Sequence, residues 1–114
     1  MKVVLFVEDN DTDALLLQIH LAKLGFLTIV CSCVMDAILC MEKRQVDYVL
    51  TDIAMPEVSG FELIGRIRKR NKIIPIVVIS AYADEYSKSE ALRLGASTYI
   101  VKPAFLEDLR RVLI

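Results

Sequence analysis

Five short apolar runs punctuate the chain, at Val3–Val7, Leu27–Cys31, Tyr48–Thr51, Ile76–Ile79 and Thr98–Val101. They are rich in β-branched side chains and bounded by polar or turn residues, the pattern of strands buried on both faces. Between them the apolar spacing changes to that of helices. Ala14, Leu17, Leu21 and Leu24 fall at i, i+3, i+7 and i+10, and Gly25 follows as a stop. Leu63, Ile64 and Ile67 form a second stripe that ends in the cationic "RIRKR" of residues 66–70, suited to the negative end of a helix dipole. "SKSEALRLG" forms a third, closed by Gly95, and the segments Met35–Arg44 and Leu106 onward supply two more. Strands alternating with helices of this length predict an α/β fold with a parallel sheet and helices on both faces.

Local chemistry adds detail. Asp11 or Thr12 is expected to cap the first helix and Ser59 the third. The first helix is apolar nearly all round, since Leu15, Leu16, Ile19 and Ala22 add to its stripe. That surplus is expected to be core, with a partner-docking face as the alternative. Lone His20 is expected on the helix surface, away from the strand tips.

Composition narrows the class. A chain of 114 residues makes one domain. Its mean hydropathy of +0.49 agrees with strands covered on both faces. No apolar stretch reaches the ~18 residues that a membrane-spanning helix requires. The opening "MKVVLFVEDN" meets acidic residues too early for a signal peptide, so the expected location is cytoplasmic. A net charge of −1 gives no reason to expect nucleic acid contact. Cys31 and Cys33, expected to alternate on one strand face, and Cys40 read as reduced small hydrophobes.

The chemistry gathers at the strand ends. The first strand ends in Glu8-Asp9, with Asp11 and Asp13 close behind. The third ends in Asp52, the fourth in Ser80 and the fifth in Lys102-Pro103. Singly, each could be a cap or a turn residue. An open parallel sheet brings its carboxyl ends to one edge, where ligands bind at the reversal of strand order. Two carboxylates ~4 Å apart repel by about 4 kcal/mol at an effective dielectric of 20. A cluster of Glu8, Asp9 and Asp52 is therefore expected to raise a pKa or recruit a cation, and oxygen-only ligands favour Mg²⁺.

With "FVEDN", "YVLTDIAMPEVSGFEL", "IVVISA" and "GASTYIVKP" in this order and at these intervals, the whole chain resembles a receiver domain of two-component response regulators. The resemblance implies a flavodoxin-like (βα)5 sandwich with strand order 2-1-3-4-5, forming one receiver domain over residues 1–114 with no output domain in this chain. It implies a regulatory phosphoacceptor, not an enzyme in the ordinary sense. Asp52 would take a phosphoryl group from a phosphohistidine on a sensor histidine kinase or phosphotransfer protein. Glu8, Asp9, Asp52 and the backbone carbonyl of Ala54 would hold Mg²⁺, and Lys102 would pair with a phosphoryl oxygen. Its bond to Pro103 resembles the cis peptide of the family. Ser80 and Tyr99 match the switch hydroxyl and the switch aromatic. Ala54 and Tyr82 resemble positions that tune dephosphorylation. The face of the fourth helix, fifth strand and fifth helix would carry signalling and could support a homodimer, with no direct nucleic acid or membrane contact.

Three other readings compete. A degenerate receiver would be a binding module that is never phosphorylated, and it usually lacks the acceptor Asp, an acid or the Lys, all retained here. A small Mg²⁺-dependent phosphohydrolase with an Asp nucleophile typically has a second Asp two residues on, where this chain has Ala54. A flavodoxin-like flavin carrier would need a neutral phosphate cradle where "EDNDTD" stands.

Overall fold

A computed structural model describes residues 1–114. Strands β1 (Val3–Val7), β2 (Leu27–Cys31), β3 (Tyr48–Thr51), β4 (Ile76–Ser80) and β5 (Thr98–Val101) alternate with helices α1 (Asp11–Lys23), α2 (Val34–Lys43), α3 (Gly60–Arg70), α4 (Glu85–Leu94) and α5 (Leu106–Leu113). All strand pairings are parallel, in the order β2-β1-β3-β4-β5. The expected flavodoxin-like (βα)5 sandwich is the observed fold.

Period-two alternation divides the core into two layers. Leu5, Val7, Val49, Ile76 and Val78 face α2, α3 and α4, meeting Ala37, Ile64 and Ala91. Val4, Phe6, Leu50, Val77 and Ile79 face the other way, against Leu17 and Leu21 of α1 and Leu109 and Leu113 of α5. Central strands β1, β3 and β4 are thereby buried on both faces. At the edge, β2 leaves Leu27 and Val30 exposed, so the double covering read from the sequence holds only for the inner strands.

Helix ends follow local chemistry with some corrections. Asn10, not Asp11 or Thr12, caps α1, its Oδ1 accepting the Asp13 N–H at 2.9 Å. Ser59 occupies the N-cap position of α3 but makes no side-chain capping bond. Gly25 (φ +90°) and Gly95 (φ +119°) end α1 and α4 in the left-handed region, as expected of glycine there. Cys33 leaves the strand and stands at the N-cap of α2, so Cys31 and Cys33 do not share a strand face.

The surplus apolar residues of α1 are not core. Leu15, Leu16 and Ile19 are exposed, because the sheet covers only the stripe of Ala14, Leu17 and Leu21. His20 is half-buried instead of lying on the surface, and its Nδ1 is buried without a protein partner. No helix is long and apolar enough to cross a membrane.

Candidate functional site

The strand order reverses between β1 and β3, and their carboxyl ends deliver Glu8 and Asp52 side by side. Asp52 continues the ladder for one more residue, its N–H donating to the Val7 carbonyl at 3.1 Å. Its carboxylate is held on both oxygens. Oδ1 accepts the N–H of Ile53 at 2.6 Å and of Ala54 at 3.3 Å, while Oδ2 accepts from Lys102 Nζ at 2.8 Å. The Thr51 hydroxyl donates to the Asp52 carbonyl at 2.8 Å. Gly60 crosses close behind, donating to the Ile53 carbonyl at 2.9 Å, and a methyl group in its place would collide with the Asp52 carbonyl oxygen. That close approach accounts for glycine at the start of α3. Glu57, in the same loop, adopts φ +67°, a strained conformation for a residue with a side chain.

Glu8 is anchored to the opposite neighbour. Its N–H donates to the Cys31 carbonyl at 2.9 Å, and its Oε2 accepts the Asn10 N–H at 3.2 Å. Oε1 accepts from Lys102 Nζ at 2.7 Å. Burial pushes its carboxyl above the ordinary 4.5, and the hydrogen bond from Lys102 offsets only part of that rise.

Lys102 follows β5, its N–H donating to the Ser80 carbonyl at 2.8 Å, and its bond to Pro103 is cis. Its ammonium also reaches Asp13 Oδ2 at 2.9 Å. Burial works against the ammonium charge, yet hydrogen bonds to Asp52, Glu8 and Asp13 raise its pKa above the ordinary 10.5. Asp13 is a partner that the strand-end pattern by itself does not single out. The only signal for it was its place in the first helical turn after an acidic strand end.

Ser80 is buried at the end of β4, its Oγ accepting the Tyr82 N–H at 3.1 Å. Tyr99 is half-buried and donates its hydroxyl to the Tyr82 carbonyl at 2.7 Å. Burial raises the Tyr99 pKa, and the nearby Ser80 hydroxyl counters part of that rise. The two residues thus meet through the same short loop.

Of the residues singled out in sequence, Glu8 and Asp52 both accept hydrogen bonds from Lys102, and Ser80 and Tyr99 share the neighbouring loop. Asp9 stands apart, exposed and without a hydrogen bond or ion pair to another side chain. For magnesium, the donor chemistry fits: Glu8, Asp9, Asp52 and the Ala54 carbonyl offer only hard oxygen. No three acidic side chains close on one metal position as they stand; three close on Lys102 instead.

Residues 4–114 match the family model described as the response regulator receiver domain. The chain is 33% identical over 112 residues to an uncharacterised 14.6 kDa protein of Leptolyngbya boryana, covering 96% of this chain and 86% of that one. It is 30% identical over 102 residues to the alkaline phosphatase synthesis transcriptional regulatory protein PhoP of Bacillus subtilis, covering 90% of this chain and 42% of PhoP. It is 34% identical over 111 residues to the Regulator of RpoS of Escherichia coli K12, covering 97% of this chain and 32% of the regulator. The chain therefore spans less than half the length of the latter two.

Solved structures agree. The chemotaxis protein CheY4 of Vibrio cholerae superposes with a TM-score of 0.91 at 27% identity, covering 99% of both chains. The response regulator TrrA of Thermotoga maritima, solved in complex with Mg²⁺-BeF, superposes with a TM-score of 0.88 at 30% identity, covering 97% and 95%. The receiver domain of the sensor histidine kinase PA1611 of Pseudomonas aeruginosa, with magnesium coordinated in its active-site cleft, gives 0.90 at 25% identity, covering 98% and 93%. A match along nearly the whole chain, with an acid-and-lysine cluster at the switch point of this sheet, places the protein in the response regulator receiver domain family of two-component systems.

Proposed function

We propose that this receiver accepts a phosphoryl group on Asp52 from a phosphohistidine of a sensor histidine kinase or phosphotransfer protein. The observation that carries the reading is the double anchoring of Asp52, one oxygen on two backbone N–H groups and the other on Lys102 at 2.8 Å. In the transfer, an Asp52 oxygen forms a bond to phosphorus, the phosphorus–nitrogen bond of the donor breaks, and its electron pair returns to the imidazole. The chain's part is to hold the carboxylate in line and to neutralise charge on the moving group. Lys102 supplies a fixed positive charge beside the reacting carboxyl. Mg²⁺, held by Glu8, Asp9, Asp52 and the Ala54 carbonyl, would supply the remaining neutralisation when bound. The TrrA and PA1611 receivers, each solved with magnesium, support that assignment.

The change would leave the site through Ser80 and Tyr99. Ser80 turning toward a phosphoryl oxygen would give up the Tyr82 N–H, and the loop tied to the Tyr99 hydroxyl would follow. The output surface on this reading is the face of α4, β5 and α5, which would also carry any homodimer. The exposed Leu15, Leu16 and Ile19 of α1, beside the site, offer the donor protein an apolar landing face. We read residues 1–114 as a single receiver domain with a regulatory role.

The test is intact mass after incubation with Mg²⁺ and acetyl phosphate. One phosphoryl adduct is expected, absent from Asp52→Asn. Turnover of unrelated phosphate esters would favour a hydrolase. No adduct and no metal binding would favour an unphosphorylated binding module.

A further inference from the structure

We propose that Asp13 is a positioning residue for Lys102: it holds the third ammonium proton while Asp52 is unmodified and yields it to a phosphoryl oxygen when one arrives. The proposal rests on the phosphoacceptor reading of Asp52.

An ammonium group has three N–H donors and no acceptor. All three are engaged, by Glu8 Oε1 at 2.7 Å, Asp52 Oδ2 at 2.8 Å and Asp13 Oδ2 at 2.9 Å. A phosphoryl oxygen can therefore be bound only by exchange, and the three partners differ in what their release costs. The Glu8 side chain is 1% exposed, and its only other partner is the Asn10 N–H. Water does not reach it to replace the ammonium hydrogen bond, so giving that bond up would leave a buried acceptor unsatisfied. The Asp52 bond keeps the ammonium at the reacting carboxyl. The Asp13 side chain is 43% exposed, so water can take over its lone pairs at little cost.

Geometry makes this release local. The Asp13 backbone is fixed by its N–H bond to the Asn10 cap, which does not involve its carboxylate. Glu8, Asp13 and Lys102 line the same cleft of about 220 Å³, together with Pro103 and Ala104, but of the two carboxylates only that of Asp13 is open to water. Phosphoryl transfer forms the bond from an Asp52 oxygen to phosphorus and breaks the bond to the donor, whose leaving group keeps the electron pair. Lys102 retains its three protons throughout and changes only one acceptor.

The experiment uses the full chain and two substitutions, Asp13→Asn, which removes the charge with little change of shape, and Asp13→Glu, which keeps a carboxylate. In the unphosphorylated protein, the NMR signal of the Lys102 ammonium is expected to be protected from exchange in wild type and in Asp13→Glu, and lost in Asp13→Asn. At saturating Mg²⁺, adduct formation with acetyl phosphate, followed by intact mass, is expected to be about fivefold faster in Asp13→Asn, the scale of one partly exposed ion pair. Asp13→Glu is expected to stay within about twofold of wild type on the same scale. An Asp13→Asn rate equal to or below wild type, or an ammonium signal that it leaves unchanged, overturns this proposal alone while wild type still forms its adduct. A wild-type chain that forms no adduct overturns both this proposal and the phosphoacceptor reading.

Discussion

Glu8 and Lys102 stand 94 positions apart in sequence and 2.7 Å apart in space, with Asp52 sharing the same ammonium. The buried acids of the site are thereby tolerated in the fold because one lysine compensates them. Replacing that lysine by a neutral chain of similar length, Lys102→Met, leaves Glu8 and Asp52 buried without a cation. It is expected to destabilise the fold by about 3 kcal/mol near neutral pH, read as a lower urea midpoint. Adding Glu8→Gln to the variant should recover much of the loss. An unchanged midpoint in the single variant would mean that the acids are compensated by something else.

The pKa shifts set two opposite ends of the pH scale. Burial raises Glu8 above 4.5 despite the opposing hydrogen bond from Lys102, so the fold favours its protonated form. Its stabilising contribution is complete below pH 4.5 and is lost as pH rises through the folded value. Relative to wild type, Glu8→Gln should therefore gain in urea midpoint on going from acid to neutral pH. Lys102 is opposed by burial but raised above 10.5 by its bonds to Asp52, Glu8 and Asp13. Its contribution is whole below pH 10.5 and disappears as pH rises through the folded value. The gap between wild type and Lys102→Met should close in strong alkali, and a gap that stays constant with pH would contradict the assignment.

Glu57 holds φ at +67° in the loop behind Asp52. A left-handed backbone costs a residue with a side chain roughly 1–2 kcal/mol, and glycine avoids that cost. Glu57→Gly is expected to raise the melting temperature by several degrees, net of the extra freedom glycine has when unfolded. A fall would show that the Glu57 side chain makes a compensating contribution.

Gly60 tolerates no side chain, because a methyl there meets the Asp52 carbonyl and the Ile53 backbone. Backbone cannot swing aside as a flexible side chain does. Gly60→Ala is expected to cost roughly 1–3 kcal/mol and to move the Ile53 and Ala54 amide resonances, which report on the Asp52 anchoring. Unmoved amides would show that the loop accommodates the methyl elsewhere.

Tyr99 ties its hydroxyl to the Tyr82 carbonyl at 2.7 Å. Tyr99→Phe removes that bond at a cost of about 1 kcal/mol, concentrated in residues 81–84 between β4 and α4. Amide exchange there should quicken while the α1 amides keep their rates. Equal rates in both proteins would exclude Tyr99 as the link to that loop.

Strand and helix order were legible because their patterns are local. Alternation at period two and stripes at helical spacing belong to consecutive residues, and Gly25 and Gly95 end helices through their own backbone freedom. The same locality explains the misses. A helix apolar nearly all round does not say which face the sheet will cover, so Leu15, Leu16 and Ile19 read as core although Leu15 is 61% exposed. Asn10, Asp11 and Thr12 are all competent caps, and only the observed turn shows that Asn10 does the capping. Cys33 continues an alternating pattern that the chain abandons to begin α2.

By itself the sequence determined the parallel α/β architecture and the gathering of Glu8, Asp52, Ser80 and Lys102 at one edge, since a parallel sheet places all its carboxyl ends together. The tertiary structure alone decided that Asp13, and not Asp9, joins Glu8 and Asp52 on Lys102. The reason is that an ion pair depends on the last few ångströms of separation, and those are set by how α1 leaves β1 and where β5 ends, positions far apart along the chain.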